Sequence, residues 1–101
     1  MYDSKVDGPA MDALYDAVLS LSTREECYRF FEDLCTINEL QALGQRWEVA
    51  RMLEEGVTYN TIASTTGAST ATIPRVNRCL LYGTGGYRLV IDRLGLAKEQ
   101  K

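Results

Sequence analysis

Apolar side chains recur along this chain at helical spacing, and no stretch alternates like a strand for more than a few residues. Met11, Leu14, Tyr15, Val18 and Leu19 follow the i, i+3, i+4, i+7, i+8 pattern of one buried helix face. That helix is expected to end near Leu21. Ser22-Thr23-Arg24-Glu25 then has the form of a capping box, whose hydroxyl and carboxylate satisfy free N–H groups at a helix start. The helix it opens repeats the stripe with Cys27, Phe30, Phe31, Leu34 and Cys35. A second box, Thr36-Ile37-Asn38-Glu39, begins the longest helix, with Ile37, Leu40, Leu43, Trp47, Ala50 and Leu53 inward and Gly56 as C-cap. The stripes read as core, shared in part between two subunits, because they offer more apolar surface than three short helices of one chain can cover.

From Thr58 to Leu81 the texture changes. Thr58 caps a short helix through Thr65, Gly67 supplies the positive φ of a tight turn, and the hydroxyls from Ser69 to Thr72 offer caps for a second helix. Two short helices joined by a glycine-containing turn form a helix-turn-helix. Ile62, Ala63, Ala68, Ile73, Val76 and Leu80 face inward in that arrangement. The outward face of the second helix carries Thr70, Thr72, Arg75, Asn77 and Arg78, all hydrogen-bonding or cationic and none acidic. Such a helix enters the major groove with its N-terminal residues at the base edges, where Thr contacts several bases and Arg favours guanine or phosphate. The alternative is an αα-hairpin with a polar solvent face, but such faces usually mix both charge signs. The DNA-contacting set is therefore Thr70, Ala71, Thr72, Pro74, Arg75, Asn77 and Arg78, with Tyr59 and Asn60 clamping from the first helix. Pro74 lacks an N–H, which is harmless only in a first turn. Regular helix is accordingly expected from about Ile73, with Thr70 and Ala71 in the turn and Ala71 or Thr72 as cap.

Charge sharpens this picture. The 101-residue chain has a net charge of −3 and an acidic pI of about 4.9, unusual for a DNA binder. Yet residues 1–66 hold five basic side chains against twelve acidic ones, and residues 67–101 hold six against two. Such asymmetry is a hint of a polyanion-binding end, the alternative being chance clustering on a solvated face. Length allows one domain, residues 10–96, with 1–9 as a mobile arm, 97–101 as a tail and the helix-turn-helix at about 58–81. The first residues have neither a basic head nor an apolar run, so no signal peptide is read, and no membrane span is long enough. A cytoplasmic location is expected. Cys27, Cys35 and Cys79 form no CxxC pair, and Cys27 and Cys35 fall on an apolar helix face. Cys79 reads as a half-buried packing cysteine, the alternative being a redox sensor. The absence of histidine removes the commonest general base and metal ligand, so neither catalysis, a metal nor a cofactor is expected.

Two blocks, Ala42-Leu43-Gly44-Gln45-Arg46 and Gly67-Ala68 through Ala71-Thr72-Ile73-Pro74-Arg75, resemble the tryptophan repressor superfamily in its small YerC/YecD-type branch. The match covers residues 36–82 well and the flanks by helix order. The resemblance implies an all-α fold of six helices, an intertwined homodimer, and a repressor of a palindromic double-stranded operator. It also implies that Arg46 and Arg75 occupy the positions that sandwich an indole in tryptophan-binding members; otherwise Arg46 makes a salt bridge along its own helix, with Glu39 or a neighbour near Glu48. Three positions depart. Val76 stands where those members have glycine, Cys79 replaces the serine that holds the ligand amine, and Pro74 replaces a small polar residue. The effector-site set is Arg46, Arg75, Val76 and Cys79, tryptophan is not the expected ligand, and the existence of an effector is left open. The reading is a helix-turn-helix transcriptional regulator, the alternative a protein–protein interaction module that kept the fold without operator binding.

Overall fold

A computed structural model describes residues 2–98. Those residues form six helices and no strand: α1 Pro9–Leu19, α2 Arg24–Leu34, α3 Ile37–Glu54, α4 Tyr59–Thr66, α5 Thr72–Tyr82 and α6 Gly86–Arg93. The chain divides into two compact units, Met1–Leu40 and Gln41–Lys101, with α3 running through the boundary.

The first unit holds α1, α2 and the opening turn of α3. Pro9 begins α1, where its missing N–H and fixed φ suit a first turn. This takes the helix one residue into the segment expected as an arm. The helix ends at Leu19, two residues before Leu21, because the Ser20 hydroxyl donates back to the Ala17 carbonyl at 2.6 Å and tightens the last turn. The next box is shifted by one residue from the expected register. Thr23, in extended conformation, is the cap: Glu26 N–H donates to its Oγ1 at 3.1 Å and Ser22 N–H donates to Glu26 Oε1 at 2.7 Å. The sequence offers hydroxyl and carboxylate at both spacings, and Thr23 with Glu26 wins. The second box forms as expected, with Glu39 N–H donating to Thr36 Oγ1 and Thr36 N–H to Glu39 Oε1. The Thr36 N–H donated to the carboxylate, and secondarily the Thr36 hydroxyl beside it, favour its charged form, so the Glu39 carboxyl sits below its ordinary value.

Neither α1 nor α2 buries a residue. Leu19 is 81% exposed, Ile37 73% and Leu34 48%, and Cys27 lies in solvent while Cys35 is half-buried. Phe30 and Phe31 meet edge to face at 5.6 Å.

In the second unit Val49 and Ala50 from α3, Ile62 from α4, Ala68 from the turn, and Ile73 and Val76 from α5 form the core. Trp47, Met52, Leu53, Val57, Ala63 and Tyr87 are packed around it, and Ile91 of α6 is also fully buried. Ala50, Ile62, Ala68, Ile73 and Val76 were legible as inward, and Ala63, Leu80 and Leu53 are half-buried. Val49 is a core residue outside the expected stripe, whereas Leu43 and Ile37 inside it are exposed in the single chain. Gly56, at φ +81°, ends α3: Gly56 N–H reaches the Leu53 carbonyl and Val57 N–H the Met52 carbonyl, the two bonds of a Schellman turn. Gly95, at φ +70°, ends α6 the same way, with bonds to Asp92 and Ile91. Of the expected tail at 97–101, residues 99–101 lie outside the described residues.

Candidate nucleic-acid interface and adjoining pocket

Thr58 caps α4, accepting from Thr61 N–H at 3.3 Å. Gly67, at φ +75°, closes α4 in the left-handed conformation that a side chain would strain. Thr66 braces that end twice, donating from its hydroxyl to the Ile62 carbonyl at 2.8 Å and accepting from Ala68 N–H at 3.1 Å. From α3, Gln45 Nε2 donates to the Thr66 carbonyl at 3.1 Å. The turn between the two helices is therefore tied both to α4 and to the long helix behind it.

Helix α5 starts at Thr72, one residue before Ile73, with Thr70 and Ala71 in the turn as expected. Ala71 holds the cap position but supplies no side-chain bond. Ala71 is thus the cap, one of the two expected, and a hydroxyl bond at this end comes from Ser69: Thr72 N–H donates to Ser69 Oγ at 3.1 Å. Thr72 N–H and Ile73 N–H both also reach the Ser69 carbonyl, so a tight turn precedes the regular helix. Pro74 is then the third helical residue, where a missing N–H forfeits little.

The buried side chains Ile73 and Val76 pin one side of α5. Arg75 and Arg78 are exposed, as are Thr70, Ala71, Tyr59 and Asn60, while Thr72, Pro74 and Asn77 are half-buried. Among the described residues no carboxylate lies within salt-bridge distance of Arg75 or Arg78, and α5 contains no acidic residue. Two cations with free guanidinium donors thus stand on the second helix of a helix-turn-helix.

Arg75 has a second neighbourhood. With Thr72, Val76 and Cys79 it lines a hollow of about 290 Å³, closed by Ala42, Gln45 and Arg46 from α3 and Tyr87 from α6. All four residues read as an effector site meet here. Arg46 pairs with no carboxylate among the described residues, and Glu39 is engaged with Thr36. Cys79 is exposed, not half-buried, because it lines both this hollow and a second, open one. Tyr87 escaped sequence reading, since the glycine-rich start of α6 hides the helix that carries it. Its ring stacks on Trp47 with centroids 6.4 Å apart and planes 12° from parallel. Burial pushes its hydroxyl above the usual tyrosine range and Cys79 adds to this, against the opposing pull of Arg46 and Arg75, so it faces the hollow as a neutral donor. The second hollow, about 480 Å³ and almost wholly apolar, is lined by Trp47, Cys79, Gly83, Tyr87 and Val90 among others. Among the described residues no cluster of His, Cys, Asp and Glu is placed to hold a metal ion.

An all-helical protein with a helix-turn-helix, cationic on its second helix and hollowed behind it, is the class defined by this fold and site. The Trp repressor protein family matches residues 9–95, and the chain belongs to that family. It is 58% identical over 94 residues to the uncharacterized protein YerC of Bacillus subtilis (strain 168), covering 93% of this chain and 90% of that one. A crystal structure of a TrpR-like protein from Eubacterium eligens ATCC 27750 superposes with a TM-score of 0.89 at 55% identity, covering 94% of this chain and 98% of that one. Another, from Staphylococcus aureus and proposed to be a Trp repressor, gives 0.87 at 52% identity over 92% and 93%.

Proposed function

We propose that this protein is a sequence-specific DNA-binding transcriptional regulator, acting as a repressor on a palindromic double-stranded operator. The observation that carries the reading is the exposed, acid-free face of α5 with Arg75 and Arg78 unpaired. Thr70, Ala71 and Thr72 lie at the end of that helix which enters a major groove, and Tyr59 and Asn60 flank it from α4. Pro74 and Asn77 complete the surface. The protein works in the cytoplasm, where its DNA is; among the described residues no helix is long and apolar enough to cross a membrane.

The regulator is a homodimer in this reading, because α1 and α2 bury no residue fully in one chain and leave Met11, Leu14, Val18, Phe30 and Phe31 of their apolar faces only half-buried. The hollow between Arg46 and Arg75 is the seat of a small effector, and Val76 and Cys79 make it a poor fit for tryptophan. No catalytic step is assigned to any residue.

A salt series on the dimer with duplex selected from a random pool tests the DNA reading. Affinity is expected to fall steeply with salt, since contacts to phosphates release counterions. Arg75→Ala and Arg78→Ala are expected to weaken binding without unfolding the protein, and Arg24→Ala to change little. Equal losses from all three would point to diffuse charge, and salt-insensitive association to a protein–protein module.

A further inference from the structure

The connection from α3 into the helix-turn-helix is short, Glu55 to Thr58, and it turns at Gly56. Its direction decides where α4 and α5 point. The last residue of α3 is Glu54, a carboxylate at the negative end of a helix dipole, where a cation is the favoured charge. Its side chain is only 12% exposed, so it needs donors, and both come from the far end of the chain. Arg88 Nη2 of α6 donates to Glu54 Oε1 at 2.7 Å, and Lys98 N–H donates to Oε2 at 2.9 Å. Lys98 then reaches further: its Nζ donates to the Glu55 carbonyl at 3.3 Å and stands 3.2 Å from where a Cβ on Gly56 would lie. The glycine turn after α6 brings the chain back for this, so that Leu96, itself still exposed, lines a small hollow with Arg51, Glu54, Glu55 and Ile91.

From this juxtaposition we infer that residues 95–98 clamp the α3–α4 turn, and that Glu54 and Lys98 are positioning residues for the helix-turn-helix. Glu54 ties the end of α3 to α6 and to the returning chain. Lys98 adds a cation to the one that Arg51 already places in the last turn of α3, and lies against the glycine about which the reading head would otherwise swing. The effect on binding rests on the DNA reading above; the effect on the turn does not.

Amide hydrogen exchange on the full chain without DNA reads the turn directly, and anisotropy with a duplex selected by the unsubstituted protein reads the consequence. In Glu54→Gln and in Lys98→Met, the amides of Gly56 and Val57 are expected to exchange faster while those of Val76 and Cys79 keep their protection. Duplex affinity should fall by roughly 2- to 30-fold, the range of residues that act on a site through intervening structure. Lys98→Arg, which keeps a donor for the Glu55 carbonyl, should preserve both. Unchanged exchange at Gly56 and Val57, or uniform acceleration throughout the second unit, overturns the clamp. Faster exchange with unaltered affinity overturns the positioning role, provided Arg75→Ala weakens binding in the same assay. If the unsubstituted protein retains no duplex at all, the DNA reading fails and the positioning role with it.

Discussion

At position 76 a branched side chain, 2% exposed, occupies the edge of the hollow between Arg46 and Arg75. An aromatic ring needs that space, and interiors packed at crystal density do not yield it cheaply. Excess tryptophan is therefore expected to leave the melting temperature unchanged, although a ligand at 100 times its Kd adds about 2.7 kcal/mol of stability. Val76→Gly is expected to gain a shift; a shift in the unsubstituted protein would contradict the reading. A second residue carries a pH dependence. Hydrogen bonds from Arg88 and then Lys98 hold the Glu54 carboxyl below its ordinary value. A carboxyl lowered in the folded state contributes stability that is complete above its unfolded pKa and disappears as pH falls through the folded one. The difference in melting temperature between the protein and Glu54→Gln should thus be largest near neutrality and shrink in acid. An equal difference at both would remove Glu54 ionisation as its cause.

Helix α5 shows how one element is settled by several weak preferences. Pro74 rules out a helix that needs its N–H, and the Ser69 hydroxyl fills the orphan donor of Thr72. Ser69→Ala is expected to cost about 1 kcal/mol, seen as a lower urea midpoint with unchanged slope. No loss would mean that the Ser69 carbonyl alone suffices. The late start of α5 and its cap at Ala71, one of two candidates, were legible because proline leaves few solutions, but the hydroxyl that bonds the free N–H was not, since neighbouring hydroxyls compete. The same competition moved the first capping box from Ser22 to Thr23, while the box at Thr36, without a rival, formed as read. Helix α6 was reached through resemblance and not through pattern. Gly83, Gly85 and Gly86 offer no side-chain cap at its start, and so Tyr87 stayed hidden. Val49 was missed because it adjoins the stripe that includes Ala50, and a helix seated among α4 and α5 buries more than one stripe. The meeting of Arg46, Arg75, Val76 and Cys79 around one hollow came from the resemblance, since nothing in their spacing brings α3 and α5 together.

On the scale of the molecule, burial is unevenly spread. The second unit has a closed core, whereas α1 and α2 bury no residue fully and leave Leu19, Leu34, Tyr15 and Tyr28 in solvent. Isolated helices of this length are marginal in water without a packed face. The expected state is a dimer at micromolar concentration, measured by sedimentation equilibrium; a well-folded monomer there would rule out a shared core. The uncovered faces of α1 and α2 also have a kinetic meaning. When a second copy completes the fold, maturation is a second-order event whose half-time lengthens as expression falls. A newly made chain then waits, vulnerable to proteolysis, until it meets another. A regulator that dimerises in this way has a threshold written into its synthesis: below it most chains are lost singly and the active pool rises more steeply than the rate of translation, and above it the pool rises in proportion.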